Sequence, residues 1–324
     1  MKWLQIEKPG VALWREAPLP EPGPGEVVIK VLGVTTCPHW DIHILDGEEM
    51  IPGRPPTYPY TPGEPGHEAV GDVVAVGEGV AAFGVGARVA VWRDPGNRRQ
   101  GCYAQYAALG ADQLIAVPKT LPTRAIASLE LAMCVHGSIN QLQAMGPIAG
   151  KRLCISGMGP SGLLAVQMAR AYGAEEITAL DPLPARRELA KHAGADLVLS
   201  ADDPAIPTDR FAPGSYDMAL DTTGLKVSIE KLMQGTRHAV AIFGVLREKV
   251  DFGPRQWWGD FTLTGYGSHQ RSQAEQSLRL IEAGKLDLSS LVTHRLPLTR
   301  YAEGVGLLRR KEALKVLFLP WEDD

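Results

Sequence analysis

The chain has 324 residues, which suits about two domains of ordinary size and is too long for one small core. Hydrophobic residues make up 45% and charged residues 22% of it, proportions that fit a globular protein and exclude a disordered or fibrous one. The 33 basic and 37 acidic side chains are spread along the chain and give a net charge of -4, so we expect no nucleic-acid partner.

The first twenty or so residues contain no uninterrupted apolar core followed by a small-residue cleavage site. No later segment is apolar over the length needed to span a bilayer, so we expect no membrane partner. The four cysteines, Cys37, Cys102, Cys134 and Cys154, are irregularly spaced and make a poor disulfide framework. We therefore expect a cytoplasmic protein whose cysteines are free thiols or metal ligands.

A region rich in glycine and proline runs from Gly25 to about Val117. It contains the short apolar runs GEVVIKVLGV, GDVVAVGEGV, GARVAVW and CYAQYAAL. Runs of this kind, cut by Gly and Pro, are typical of short strands. We expect an irregular, barrel-like β region here.

From about Cys134 onwards, strand-like and helix-like runs alternate. RLCIS and ITALD each precede a helical run, and DLVLS, DMALD, AVAIFGV and FTLTGY continue the series. Six apolar strands with intervening helices predict a parallel, doubly wound α/β sheet. The helical stretches and the last strand after Gly267 do not extend that sheet neatly, so we assign them to the first domain. The predicted domains are 1–133 with 268–324, and 134–267.

Gly157, Gly159 and Gly162 have the GxGxxG spacing directly after an apolar strand and at the start of an amphipathic helix. The first glycine permits a tight turn, the second lets the backbone approach a pyrophosphate, and the third lets helix pack on strand. Pro160 and Ser161 lie between them. We predict that this turn binds a dinucleotide.

Asp181 ends the next strand about twenty residues further on, where a carboxylate can accept hydrogen bonds from the adenosine ribose hydroxyls. That carboxylate should repel a ribose 2′-phosphate, which favours NAD over NADP. Arg186 and Arg187 follow closely and could still accommodate the phosphate. We expect NAD as the cofactor, with Arg186 among its contacts.

Zinc is one means of polarising a carbonyl, or of acidifying an alcohol, beside a nicotinamide. A catalytic zinc takes three protein ligands from Cys, His and carboxylate and keeps a fourth position open. Cys37 follows a predicted strand, His67 lies in GEPGHEAVG, and Cys134 precedes the nucleotide-binding strand. By residue type alone, a packed or surface histidine and core thiols are the commoner interpretations.

The segment GHEAVGDVVAVGEGV resembles the zinc signature of the zinc-containing medium-chain alcohol dehydrogenases, with a GHE triplet followed by Gly71, Gly77 and Val80. The order of the parts is similar over nearly the whole chain, from the strand before the first cysteine to the C-terminal return. This resemblance implies a GroES-like catalytic domain and a Rossmann domain with the active site between them. It also implies a homo-oligomer, either a dimer or a tetramer.

The resemblance further implies that Cys37 and His67 are ligands of one catalytic zinc. Glu68 matches a family carboxylate that sits close to the metal and can exchange onto it, although a surface acid is an equal alternative. Family members supply the third ligand as a cysteine or a glutamate. Cys134 needs a smaller alignment gap than Glu130, so we predict Cys134.

The residues after the metal cysteine depart from the family pattern. The family has a hydroxyl residue two positions on, an aspartate three on and often a histidine five on. Here His39 occupies the hydroxyl position, and Asp41 and His43 are each displaced by one. We expect His39 or His43 to carry the proton to bulk water, with Thr36 as the alternative, and a surface position is an equally good interpretation of either histidine.

The structural zinc of the family, held by four clustered cysteines, should fall between RVAVW and YAQY. The segment there contains only Cys102. One thiolate cannot build a four-thiolate site, so we expect one catalytic zinc and no structural zinc.

Four tryptophans bear on the substrate pocket and on assembly. Trp40 follows a predicted metal ligand and Trp92 ends a strand of the first domain, so either could narrow the pocket. Trp257 and Trp258 precede the last Rossmann strand and suit internal packing or a subunit contact.

The sequence therefore predicts a zinc-dependent oxidoreductase that transfers hydride between NAD(H) and an alcohol or ketone, with a secondary alcohol or polyol as the guessed substrate. Two alternatives stay open. One is a metal-independent NAD(P)H reductase of a conjugated double bond on the same scaffold. The other is a catalytically silent nucleotide-binding protein, because a fold does not guarantee an activity.

Overall fold

The computed structural model of the protein describes residues 1–94 and 100–322. The chain divides into two units, the first comprising Met1–Leu131 with Leu288–Asp324 and the second comprising Ala132–Asp287. The first division thus follows residue 131, where we expect it after residue 133. The second division follows residue 287, where we expect it after residue 267.

Both units contain strands and helices. In chain order they are β1 (Lys2–Lys8), β2 (Val11–Glu16), β3 (Glu26–Thr35), α1 (Pro38–Asp46), β4 (Glu68–Val76), β5 (Arg88–Val91), β6 (Tyr106–Gly110), β7 (Leu114–Ala116), α2 (Leu129–Ala144), β8 (Arg152–Ser156), α3 (Pro160–Ala171), β9 (Glu176–Leu180), α4 (Pro184–Ala193), β10 (Leu197–Leu199), β11 (Tyr216–Asp221), α5 (Lys226–Gly235), β12 (Thr236–Ile242), α6 (Pro254–Trp257), β13 (Thr262–Thr264), α7 (Arg271–Glu282), β14 (Val292–Pro297), α8 (Tyr301–Arg309) and β15 (Lys315–Leu319). Among the helices of the described residues, none combines the length and the apolar character that a bilayer crossing requires.

The first unit is mainly β, as the sequence predicts. Its seven-stranded sheet has the order β14-β15-β3-β4-β5-β7, with β6 also pairing with β3, and β1 and β2 form a separate antiparallel pair. Strand β3 lies inside the sheet, where it pairs with β15, β4 and β6. Its apolar side chains, among them Val27, Ile29 and Val31, are fully buried. Its last residue, Thr35, pairs with Glu68 at the start of β4. This register brings the segments that carry Cys37 and His67 side by side.

The second unit contains a six-stranded parallel sheet with the order β10-β9-β8-β11-β12-β13. Helices α3, α4 and α5 connect successive strands, which is the arrangement of a doubly wound fold. The predicted α/β class and the six predicted strands are confirmed. Because all the strands are parallel, their carboxyl ends lie along one edge of the sheet, where such folds bind ligands.

The second unit extends to residue 287, beyond the expected boundary at residue 267, because helix α7 is bonded to helix α2. His136 and Asn140 of α2 bond to α7, through His136 Nδ1 to Ser277 Oγ at 2.9 Å and Asn140 Nδ2 to Gln276 Oε1 at 2.8 Å. These polar contacts between two helices hold α7 in the second unit, where the amphipathic pattern alone does not place it.

All four cysteines are free thiols, in agreement with their spacing. Cys102, Cys134 and Cys154 are buried, and Cys37 is half-buried. Burial raises the pKa of the Cys102 thiol to about 12, so this residue is a thiol and not a thiolate at neutral pH.

Candidate functional site

Cys37, His67 and Glu68 form a cluster in the first unit. One potential ligand atom from each side chain lies within 4.8 Å of the others. The cluster arises because β3 ends two residues before Cys37 and β4 begins at Glu68, directly after His67. Thiolate, imidazole and carboxylate are the donor types that zinc takes in proteins. The residues present therefore fit a zinc ion.

The charge state of Cys37 and His67 is coupled. Burial raises the pKa of the Cys37 thiol, against the opposing hydrogen bond and charge of His67. Burial also acts to lower the pKa of His67, but the hydrogen bond to Cys37 and the nearby carboxylates of Asp94 and Glu130 raise it well above its usual value. Metal ligands must be deprotonated, so a cation bound here would displace the proton that this pair holds.

Two further carboxylates approach the imidazole of His67. Its Nε2 lies 3.9 Å from Oε2 of Glu130, and its Nδ1 lies 4.0 Å from Oδ2 of Asp94. Glu130 is buried in the first turn of α2. The expected third ligand, Cys134, belongs to the second unit, where its Sγ lies 3.5 Å from Nε2 of His269. Within the first unit, Glu130 and Asp94 are thus the carboxylates beyond the cluster that approach the His67 imidazole.

Glu68 is held by a buried cation that the sequence analysis missed. Lys315 Nζ donates to both carboxylate oxygens of Glu68, at 2.5 and 2.6 Å. Thr35 Oγ1 donates to the same carboxylate at 3.2 Å. Lys315 starts β15, and its only sequence signal is a lysine at the head of the apolar run KVLFL. Lys315 thus places a positive charge against the buried Glu68 side chain, which is clustered with Cys37.

Asp41 fixes the backbone of Cys37. Its Oδ2 accepts a hydrogen bond from the backbone N–H of Cys37 at 2.7 Å. The hydroxyl groups of Tyr103 and Tyr301 also donate to this carboxylate, at 2.9 and 2.8 Å. Burial raises the pKa of Asp41 to about 6, although the three donors oppose that rise. Asp41, which is displaced by one position from the family pattern, therefore connects α1 to Tyr301 of α8 and to the backbone of Cys37.

His39 and His43 lie one turn apart on α1, and both are half-buried. Their rings meet edge to face, with centroids 4.3 Å apart. His39 Nε2 lies 3.2 Å from the carbonyl oxygen of Met50, and His43 Nδ1 lies 3.2 Å from Oε2 of Glu48. Thr36, the alternative, is fully buried, and its hydroxyl accepts a hydrogen bond from the backbone N–H of Val316.

A pocket opens beside His67 in the first unit. Trp40 contacts the imidazole edge to face, with ring centroids 5.9 Å apart, and its indole lines this pocket. Trp92 is instead buried and donates from Nε1 to the carbonyl oxygen of Asp112 at 2.9 Å. The lining residues are Trp40, Glu64, Pro65, Gly66, His67, Asp94 and Gly101.

The loop that carries His67 is pressed against the segment that begins at Gly101. A Cβ atom on Gly63 would lie 2.1 Å from the carbonyl oxygen of Gly101, and one on Gly101 would lie 2.2 Å from the carbonyl oxygen of Gly63. Tyr103 N donates to the Gly63 carbonyl, and Cys102 N donates to that of Gly66. Only glycine at both positions permits this approach of two backbones.

The glycine turn of the second unit has the geometry that its spacing predicts. Gly157 adopts φ +90°, and a Cβ there would lie 2.7 Å from Thr223 Cγ2. A Cβ on Gly162 would lie 1.8 Å from the carbonyl oxygen of Gly157. Around Gly159, by contrast, a Cβ would meet nothing within 4 Å. Pro160, which has no backbone N–H, begins α3 and Ser161 follows it, so the first N–H group that this helix end can offer to an anion is that of Ser161.

Asp181 connects this turn to the end of β9. Its Oδ2 accepts from the backbone N–H of Met158 and its Oδ1 from that of Leu183, each at 2.8 Å. Arg187 Nη1 donates to the carbonyl oxygen of Asp181 at 2.7 Å. Burial lowers the pKa of Arg186, and Asp181 opposes that shift. Asp181 and two arginines thus stand together at the carboxyl edge of the sheet.

Two family descriptions match this chain, together over more than half of it. The description "Alcohol dehydrogenase GroES-like domain" matches residues 23–119, and "Zinc-binding dehydrogenase" matches residues 160–283. Among proteins of known sequence, L-threonine 3-dehydrogenase of Pyrococcus horikoshii is 31% identical over 94% of each chain. L-threonine 3-dehydrogenase of Chelativorans sp. is 27% identical over 98% of each chain.

Solved structures are similar over the whole length of the chain. 2R,3R-butanediol dehydrogenase from Bacillus subtilis is 26% identical, with a TM-score of 0.83, covering 98% of this chain and 99% of that one. A putative zinc-binding dehydrogenase from Sinorhizobium meliloti 1021 bound to NADP is also 26% identical, with a TM-score of 0.84 and the same coverage.

Proposed function

Since this chain belongs to the zinc-containing medium-chain alcohol dehydrogenase family, we propose that the Cys37, His67 and Glu68 cluster is its catalytic metal site. The enzyme is an oxidoreductase that transfers hydride between a nicotinamide dinucleotide and an alcohol or ketone. The observation that carries the proposal is the convergence of the three ligand atoms within 4.8 Å.

We propose Cys37, His67 and Glu130 as the zinc ligands, with Glu68 as the neighbouring carboxylate. Glu130 is favoured by the 3.9 Å between its carboxylate and the imidazole of His67. Cys134, which the alignment favours, remains the alternative. Zinc content separates the two, because Glu130→Gln should lose the metal and Cys134→Ser should keep it, and the reverse outcome would select the cysteine.

A zinc ion held there supplies a Lewis acid that polarises the substrate oxygen and lowers the pKa of an alcohol. The chain's own residues do the remaining work. Asp41 orients Cys37, Lys315 keeps Glu68 in place, and Trp40 limits the space beside His67. His39 and His43, whose rings touch on α1, would pass the alcohol proton to bulk water.

We propose NAD as the preferred cofactor. The carboxylate of Asp181 at the end of β9 is suited to ribose hydroxyls and would repel a 2′-phosphate. Arg186 and Arg187 beside it keep NADP as the alternative. The ratio of kcat/KM for the two cofactors decides the preference, and Asp181→Ala should shift that ratio towards NADP. A wild-type enzyme that prefers NADP would contradict the assignment.

We propose a secondary alcohol with a second polar group as the substrate. The relatives named above are an L-threonine dehydrogenase and a butanediol dehydrogenase, and both named substrates contain a secondary alcohol. The pocket beside His67 is lined by Glu64 and Asp94, which would accept hydrogen bonds from such a group. A panel of diols, polyols, amino alcohols and simple alcohols tests this class.

We also propose that the enzyme is a homo-oligomer that associates through the β13 edge of the parallel sheet. Strand β13 is the last strand in the sheet order, and just before it Trp257 and Trp258 are 73% and 66% exposed. Exposed aromatic side chains of this size are enriched at protein interfaces. Light scattering should give a dimer or larger for the wild type, and a smaller species for Trp257→Ser with Trp258→Ser.

The central experiment measures zinc content and NAD-linked turnover of the wild type and of His67→Ala. We expect the variant to lose most of its zinc and nearly all activity while it still binds NADH, because the glycine turn lies in the other unit. His192→Ala, which changes an exposed histidine on α4, is the matched control and should behave as the wild type.

The result also separates the alternatives. Full activity of a zinc-free wild type towards a conjugated double bond would support the metal-independent reductase. Tight binding of NADH without turnover of any alcohol or carbonyl compound would support a catalytically silent protein.

A further inference from the structure

Glu64 is a buried carboxylate in the pocket beside His67. Only 7% of the residue's surface is exposed, and its side chain lines the pocket together with Trp40. Its backbone N–H donates to the carbonyl oxygen of Thr61. Within residues 1–94 and 100–322, however, its carboxylate oxygens have neither a hydrogen-bond donor nor a salt-bridge partner. Glu64 thus differs from Glu68, which is also buried but is paired with Lys315.

An ionised carboxylate in this position would destabilise the ligand-free folded protein. Burying an ionised group without a partner is strongly unfavourable, so the group becomes protonated instead. Burial, with the charge of Asp94 as the second cause, raises the pKa of Glu64 to about 8, and His67 opposes the rise. A cation in the pocket would restore the ionised form and gain a charge-assisted hydrogen bond.

The rest of the lining fits a small cation. Asp94 adds a second carboxylate, one of whose oxygens lies 4.0 Å from Nδ1 of His67. Trp40 adds an indole ring, and aromatic rings attract ammonium groups. His67 lines the same pocket, so a small cation that contacts Glu64 would lie in the space that the proposed metal ligand His67 borders.

We propose that Glu64 is a specificity-determining residue that binds the ammonium group of an amino alcohol substrate. This inference rests on the proposed function, because it requires the alcohol group of the same molecule to react beside His67. The substrate class is a secondary alcohol with a protonated amine on the adjacent carbon. No covalent step is assigned to Glu64, which only orients and selects the substrate.

The test compares two substrates of nearly the same shape, 1-amino-2-propanol and 1,2-propanediol, with the zinc-loaded enzyme at neutral pH. We expect the wild type to favour the amino alcohol by at least about tenfold in kcat/KM, as a charge-assisted hydrogen bond provides. Glu64→Gln, which keeps the shape and removes the charge, should raise KM for the amino alcohol about tenfold or more and raise KM for the diol much less, because a neutral hydroxyl group can still bond to the amide.

Glu78→Gln is the control, because it removes one exposed negative charge outside the pocket lining and should change neither substrate. Asp94→Asn tests the second carboxylate and should have the same sign of effect as Glu64→Gln. Melting curves of each variant verify folding.

Equal turnover of the two substrates by the wild type, or an equal effect of Glu64→Gln on both, would overturn the inference and leave the proposed function intact. Absence of turnover with every alcohol would instead contradict the proposed function. In that case calorimetry with 1-amino-2-propanol decides the inference, which fails if binding is absent or does not depend on Glu64.

Discussion

Lys315 and Glu68 form an ion pair whose side chains are 0% and 1% exposed, at the junction of β15, β3 and β4. The pair shares Glu68 with the cluster of Cys37, His67 and Glu68. A buried ion pair contributes little compared with apolar packing, but removal of one partner leaves an uncompensated charge. The pair therefore links the stability of the first unit to the proposed metal site.

We expect Lys315→Met to lower the free energy of unfolding by about 3 to 5 kcal/mol, because the Glu68 carboxylate would lose its cation in a buried site. Urea denaturation with and without zinc measures this effect. Adding Glu68→Gln to the same variant should recover much of the loss, since no buried charge would remain. A single variant as stable as the wild type would contradict the assigned role of Lys315.

Asp41→Asn should weaken zinc binding by about ten- to a hundredfold, because an amide cannot accept from the Cys37 N–H and both tyrosine hydroxyl groups as a carboxylate does. Competition with a chelator measures the affinity. Tyr301→Phe is the comparison, since it removes one donor but keeps the bond to Cys37. It should cost about 1 kcal/mol of stability and leave zinc binding nearly unchanged. Equal zinc affinities of Asp41→Asn and wild type would count against this role of Asp41.

Alanine at two positions of the glycine turn should have different consequences. Gly162→Ala should destabilise the second unit by about 1 to 3 kcal/mol, because the new Cβ would overlap the Gly157 carbonyl. Gly159→Ala meets nothing within 4 Å, so its melting temperature should stay unchanged while its affinity for NADH falls. NADH fluorescence titration and calorimetric melting measure the two effects. Undiminished NADH binding by Gly159→Ala would show that the pyrophosphate lies elsewhere.

The buried histidine of α2 makes the second unit sensitive to acid. Burial, aided by the charge of Arg279, lowers the pKa of His136 to about 4, and its imidazole bonds Ser277 and Tyr172. The folded state therefore binds this proton less readily than the unfolded state, so stability is complete above the unfolded pKa and falls as the pH drops from about 6.5 to about 4.

At pH 5 this loss should amount to about 2 kcal/mol relative to pH 7. Urea denaturation of the wild type and of His136→Gln at the two pH values isolates the contribution, because the carboxyl groups and the other histidines titrate in both proteins. A pH dependence identical in the two would refute it.

The parallel sheet of the second unit was predictable because its strands are buried on both faces. RLCIS, ITALD and DMALD are nearly continuous apolar runs, and each leads into a helix or a Gly-rich turn. The β1 and β2 hairpin was not predicted, since its strands are only partly buried and carry many polar side chains. The place of α7 also escaped prediction, because it depends on contacts with α2.

The clustering of Cys37, His67 and Glu68 was expected from the resemblance of the GHE segment and not from residue type alone, and the pairing of β3 with β4 accounts for it. Lys315 lies 247 residues from Glu68 in the chain, and Tyr301 lies 260 residues from Asp41. Contacts over such separations depend on the pairing of the C-terminal strand β15 with β3. Polar partners from the C-terminal segment therefore could not be assigned from local patterns.

The contact between Gly63 and Gly101 also limits how this pocket can be redesigned. In a saturation library at either position, the substituted variants could not bring these two backbone segments together, since even a methyl group would overlap the opposite carbonyl. Trp40 borders the same space with a large ring that is only half-buried. Engineering for bulkier alcohols should therefore begin by trimming the indole and leave the paired glycines untouched.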